Sequence, residues 1–161
     1  MPIPRALVLV SQQFGAGALK VAAPLEGLSD DDFFRSPEKM NHMLWLLGHV
    51  ANSRLGLVGM LGGPSEHPWN HFFGKGSQPD GADKLPSASD VRDFWTGSVD
   101  ALNAQFEQVP ADVLSSPAPR DLPIADKTLL GAAAFLATHE LYHAGQMAAL
   151  RSWLGHHHAV G

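Results

Sequence analysis

Cysteine is absent from the 161 residues. That excludes a disulfide framework, a thiolate metal ligand and a thiol nucleophile supplied by the chain itself, and it is what a cytoplasmic protein is expected to show. Charge is also scarce. Only 17% of residues are charged, and the formal balance is −5 with no basic cluster. A nucleic-acid surface or a binding face for anionic membranes is therefore not expected. So few charges also imply that some apolar surface is hidden in an oligomer. The most apolar window, Met43 to Leu61, is interrupted by His49, Asn52, Ser53 and Arg54, which suits a buried helix rather than a membrane span. The N-terminal MPIPRALVLVSQQFGAG lacks the shape of a signal peptide: its apolar run is short, and Gln12, Gln13 and Lys20 follow at helical spacing. No convincing strand, internal repeat or low-complexity tract is found.

What is present is helical periodicity. Apolar residues make up 45% of the chain, enough for one core in a single domain spanning 1–161. Ile3, Leu7, Val10, Phe14, Ala18 and Val21 recur at three- and four-residue steps and predict a first helix, ended by Pro24 and Gly27. A second is expected from about Glu38 to Leu61, with Ser36 as N-cap before Pro37 and Gly62–Gly63–Pro64 as terminator. A third runs from about Ser89 to Val109, capped by Ser87 or Ser89 and stopped by Pro110. A fourth runs from about Thr128 to Leu154, capped by Asp126 or Thr128, with Gly155 at its end. The connections 62–86 and 110–127 are long and rich in Gly and Pro. Such loops point to function or to crossovers, so the expected fold is an all-α four-helix bundle that is not simply up-down-up-down.

The fourth segment carries the chemistry. Its seam reads Leu129, Ala132, Leu136, His139, His143, Gln146, Leu150 and Trp153, one stripe facing the bundle interior. Two histidines and a glutamine stand in the middle of an apolar stripe, and each would cost about 1–3 kcal/mol if unpartnered. His139 and His143 are four apart, the spacing at which two imidazoles chelate one divalent ion. The alternative is a pair of core histidines, each bonded to a carbonyl or carboxylate.

The same residues spell HELYH, which fits the H-E-x-x-H pattern of zinc peptidases. That pattern has only three fixed positions, and the further ligand is missing. No Asp or Glu follows His143, and where the longer form of the motif requires Gly and His this chain has Gln146 and Ala149. His156, His157 and His158 lie past the helix and are expected to be an exposed tail. A third ligand must then come from upstream, from His42, His49, His67 or His71. His49 lies in WLLGHVANSRL among Leu44, Leu46, Leu47 and Val50, on a face shared with His42, Trp45 and Asn52. Buried there, it needs a partner, and one metal satisfies all three imidazoles. His67 and His71 lie in a Gly- and Pro-rich loop, where exposure is expected, with a place on a pocket rim as the other possibility.

WLLGHVANSRL in the second helix and HELYHAGQMAALRSWLG in the fourth resemble the DinB/YfiT-like superfamily, whose members carry a G-H on helix two and then H-x-x-x-H-x-G-Q. The resemblance spans nearly the whole chain. It implies a four-helix bundle, places three metal ligands on His49, His139 and His143, and aligns the family's glutamine with Gln146, expected to orient a ligand from behind or to pack the helix. Glu140 is not part of that pattern. About 100° off the seam, it is expected to be a flanking carboxylate paired with a loop cation rather than a general base.

Three nitrogen ligands leave at least one position open, as in catalytic sites, and suit zinc or nickel among other metals. The resemblance implies metal-dependent hydrolases, or transferases and isomerases that use a low-molecular-weight thiol such as bacillithiol or mycothiol. Without a cysteine, any sulfur nucleophile here must be such a cosubstrate. The expectation is a metal-dependent S-transferase or hydrolase acting on a small molecule, with Trp45, Tyr142 and the loop His67–Phe73 shaping the pocket. The alternatives are a non-catalytic metal- or ligand-binding bundle and, behind it, an H-E-x-x-H peptidase. The resemblance and a second helix that is apolar nearly all round together predict a homodimer.

Overall fold

The computed structural model describes residues 2–64, 66–77, 85–119 and 121–156. Four long helices and one short one form the fold: α1 Val8–Ala22, α2 Met43–Met60, α3 Asn70–Phe73, α4 Ala88–Gln108 and α5 Leu129–Trp153. Short 3-10 turns lead into α1 (Arg5–Leu7), leave it (Ala23–Leu25), and occupy Asp31–Phe34 and Ala111–Ser115. No strand occurs among the described residues, only an isolated bridge between Pro117 and Thr128. The all-α bundle expected from the sequence is the fold observed.

Two helix starts follow from their caps. Ser87 and Asp90 form a reciprocal capping box at α4: the Asp90 N–H donates to the Ser87 hydroxyl at 3.1 Å, and the Ser87 N–H donates to the Asp90 carboxylate at 3.3 Å. Thr128 caps α5, accepting from the Gly131 N–H at 3.1 Å, and Gly155, with φ +87°, ends it. The second helix departs from expectation. It starts at Met43, not near Glu38, because Lys39 sits in the left-handed region with φ 67°. Ser36 donates to the Met40 carbonyl instead of capping. The cap is His42, whose Nδ1 accepts from the Trp45 N–H at 3.1 Å. His42 was expected among the pocket residues; its imidazole is instead occupied at the helix start, about 10 Å along α2 from His49.

α2 is the central helix. It packs on α4, α5 and the single turn of α3, while α1 packs on α5. Fourteen of its eighteen residues are buried. Its all-round apolarity is thus absorbed within the chain, and the homodimer expected from that feature has to draw on other surfaces. Among the described residues, Val8, Leu9 and Leu19 on α1, Met40 before α2, and Leu141, Tyr142 and Trp153 on α5 are the large hydrophobic side chains that remain outside. Among the described residues, the one segment long and apolar enough to cross a membrane by length and composition is Arg5–Leu25, not Met43–Leu61. In the fold, Leu7, Val10, Phe14 and Val21 along it are buried.

The core falls into two apolar clusters. One gathers Phe33, Leu44, Leu46, Leu47, Phe73, Val91, Met147 and Leu150. The other gathers Leu7, Phe14, Leu57, Leu102, Phe106, Leu129 and Ala133. Each such side chain contributes about 1.5–3 kcal/mol by leaving water. On α2 the first cluster ends at Ala51 and the second begins at Leu57; on α5 they lie on either side of residues 139–143. The buried polar and charged groups His49, Asn52, Arg54, Glu140 and His143 form a belt where the two clusters meet.

Candidate metal centre

α2 and α5 meet at the belt, and their imidazoles converge there. His49 Nε2 lies 3.3 Å from His139 Nε2, and His143 Nε2 lies 3.1 Å from the same atom. One nitrogen from each of the three residues lies within 4.8 Å of the other two. Two nitrogens bound to one tetrahedral zinc at about 2.0–2.1 Å would be about 3.4 Å apart, so the spacing fits a shared cation.

The far side of each ring fixes its tautomer. His49 Nδ1–H donates to the Phe73 carbonyl at 2.7 Å, and His143 Nδ1–H donates to Gln146 Oε1 at 2.7 Å. Both Nε2 lone pairs therefore point at His139. His139 Nδ1 is buried and has no hydrogen-bond partner among the described residues. A single Nε2–H on His139 can satisfy one neighbour and not the other. Without a cation between them, lone pairs would face each other inside the bundle. The donor set, its spacing and the ligand supports all fit a divalent metal.

The electrostatics agree. Burial pushes all three imidazoles below the ordinary histidine value, and for His139 and His143, where the neighbouring imidazoles add to it, down to about 4. They are neutral at pH 7, the form that ligates.

The G-H of α2 has a physical reason. A Cβ at Gly48 would lie 2.6 Å from the Phe73 ring, so only glycine lets α3 come close enough for the Phe73 carbonyl to reach His49. Trp45 lies parallel to His49, with ring centroids 4.6 Å apart, and its indole N–H donates to the Phe72 carbonyl at 3.1 Å. Trp45 therefore backs His49. Gln146, expected to orient a ligand from behind or to pack the helix, accepts from His143 Nδ1–H, and its amide donates to the Tyr142 hydroxyl at 3.3 Å. Tyr142 itself is exposed, its ring 5.1 Å from that of His143.

A cavity of about 280 Å³ opens on His49 and His139. Asn52, as expected, lines it. Asn70, in the loop expected to shape the pocket, and Leu136, on the expected seam, line it as well, together with Ser53, Lys75 and Phe135, which were not expected there from sequence. His67 is half-buried rather than exposed: its Nδ1–H donates to Asn52 Oδ1 at 3.1 Å, and the Asn52 amide donates to Asn70 Oδ1 at 3.2 Å. His71 is exposed, its ring tilted 44° against that of Phe72. A larger hollow of about 520 Å³ beside Gly63 and Gln105 has no titratable side chain in its wall.

Two expectations are corrected. Glu140 is not a flank residue paired with a loop cation. It is 3% exposed, and both of its oxygens accept from Arg54 of α2, at 2.6 and 2.7 Å. Burial raises its carboxyl while the guanidinium pulls it back. A two-pronged donor needs an acceptor at both oxygens, which is the carboxylate. With both oxygens engaged, Glu140 offers no base to a peptidase mechanism. His156 is not an exposed tail either: it is half-buried and donates from Nε2 to Asp32 at 3.2 Å. His157 and His158 lie outside the described residues.

A family model described as the DinB superfamily matches residues 18–147, a span that contains all three histidines and Gln146. The chain belongs to the DinB superfamily. Comparison with curated proteins gives no match.

Proposed function

We propose that this chain is a metal-dependent enzyme acting on a small molecule, as a transferase to a low-molecular-weight thiol or as a hydrolase. The observation that carries it is the convergence of three neutral imidazoles on one point at the wall of a cavity. A zinc or nickel ion held there supplies Lewis acidity, which makes water or a thiol nucleophilic near neutral pH. His49, His139 and His143 hold the ion, and the Phe73 carbonyl and Gln146 keep two of the rings aimed. Phe135 and Leu136 exclude water from one side of the substrate, and Asn52, oriented by His67 and Asn70, offers it polar contacts. The substrate's sulfur, if any, comes from a cosubstrate, since the chain has no cysteine. The same proposal places the protein in the cytoplasm as a homodimer joined through the exposed apolar side chains of α1 and α5.

One observation favours a second possibility, a non-catalytic ligand-binding bundle. Besides the histidines, Lys75 is the one titratable side chain lining the cavity among the described residues. A general acid or base is otherwise lacking there. Turnover of thiols with small electrophiles, and of small esters and amides, measured with metal-loaded and metal-free protein, separates the two. Metal-dependent turnover abolished in His49→Ala supports the enzyme. A metal that exchanges small ligands without any turnover supports the binding bundle.

A further inference from the structure

The glutamate of HELYH lies next to one candidate ligand in sequence, yet faces away from the other imidazoles. His139 and Glu140 project about 100° apart on α5, and His49 and Arg54 about 140° apart on α2. The two helices therefore touch through the imidazoles on one side and through Arg54–Glu140 on the other.

Arg54 reaches all four long helices. Its Nε and Nη2 hold Glu140 of α5, and Nη2 also donates to the Phe14 carbonyl of α1 at 2.8 Å. The guanidinium carbon lies 5.0 Å from the Phe14 ring centre and 4.8 Å from that of Trp95 on α4. Arg54 is 1% exposed. α1 is shaped to admit the pair: a Cβ at Gly17 would lie 2.3 Å from Glu140 Oε1, whereas at Gly15, on the same helix, a Cβ would meet nothing within 4 Å.

From this geometry we infer that Arg54 and Glu140 are positioning residues for the metal centre. Their two-pronged bond fixes the register and rotation of α2 against α5, and with it the meeting point of the His49, His139 and His143 nitrogens. A guanidinium fork has one orientation on a carboxylate, unlike a lysine point charge, so it sets an angle as well as a distance. The pair is also neutral as a unit and leaves no uncompensated charge beside a bound dication. This inference rests on the three histidines holding a metal.

The test uses cobalt(II) as a spectroscopic probe and zinc competition for affinity, on the full chain. The variants are Arg54→Lys, Glu140→Gln and Gly17→Ala, with Gly15→Ala as control, and folding is checked by circular dichroism. Arg54→Lys and Glu140→Gln are expected to shift the cobalt visible bands and weaken metal binding about 10–100-fold, the size typical of losing a ligand's supports. Gly17→Ala, which alters no charge and touches no ligand, is expected to do the same about tenfold by displacing the carboxylate, and it keeps the test open if a charge variant fails to fold. Gly15→Ala is expected to match wild type. Wild-type bands and affinity in all folded variants would overturn the positioning role while leaving the metal site standing. A wild-type protein that binds no cobalt or zinc would overturn both.

Discussion

On one side of the α2–α5 contact the chain pairs its own charges. Arg54 Nε and Nη2 pair with both Glu140 oxygens through short bonds, flanked by Phe14, Trp95 and Gly17, and Arg54 Nη1 alone of that pair has no hydrogen-bond partner among the described residues. On the other side it does not. Three Nε2 atoms face one another, His139 Nδ1 has no hydrogen-bond partner among the described residues, and a cavity opens beside them. The closed side is the more deeply buried, with Arg54 and Glu140 at 1% and 3% exposed against 9% and 8% for His49 and His143 and a half-buried His139. The difference separates a polar contact whose charges are paired within the fold from a donor cluster that could hold a cation from outside it. By itself, a buried polar residue in a sequence says only that a partner is needed.

That contrast can be broken first on the open side. His139→Ala removes the nitrogen nearest both other ligands, and metal content is expected to fall from one ion per chain to none, measured by elemental analysis of untagged protein. On the closed side, Arg54→Met strands a carboxylate and is expected to cost about 3–5 kcal/mol of stability in denaturant unfolding, with Arg54→Met/Glu140→Leu recovering most of it. Metal-free protein would then be stable in the double variant yet poorly preorganised. A smaller effect comes from the ligand supports. Gln146→Ala is expected to weaken metal binding about 10–100-fold with little change in fold stability.

pH sharpens the comparison further. His139 and His143 titrate at about 4 in the fold but at about 6.5 in an unfolded chain, so below about 6.5 the unfolded state takes up more protons. Stability of the metal-free protein is expected to fall as pH drops from about 6.5 to 4, and to change less over that window in His139→Ala/His143→Ala. The smallest effect concerns assembly: light scattering is expected to give a dimer, and Leu19→Glu with Leu141→Glu is expected to shift it toward monomer without altering metal content.

Much of this was legible in the sequence because periodicity reports burial. The stripe on α5 exposed His139, His143 and Gln146 as polar residues in an apolar place, and the same logic selected His49. Helix ends were readable where a cap and a breaker coincide, as at Ser87 and Thr128. The start of α2 was not, because Lys39 takes a left-handed conformation that no local residue preference announces, and a histidine serves as cap. Glu140 was misplaced because the α5 seam was drawn as one stripe, whereas a helix packed against both α1 and α2 buries two. A signal was available: Arg54 stands in the most buried helix, and a guanidinium there demands a carboxylate. The segment His67–Phe73 was expected at the pocket, but which of its groups point there, Asn70 and the Phe73 carbonyl, could not be read from so short a turn, nor could Lys75 beyond it. Gly48 before His49 was the one hint that a backbone comes close. Gly145, in the family's H-x-G-Q, has nothing within 4 Å that would require a glycine, and no contact within the chain explains it.

The central claim is that three imidazoles from α2 and α5 hold one cation. X-ray absorption at the edge of the zinc or nickel bound to untagged protein tests it most directly. The account predicts three imidazole nitrogens at about 2.0–2.1 Å for zinc, falling to two or to loss of the metal in His49→Ala. A coordination shell with no imidazole, or one unchanged in His49→Ala, would contradict it.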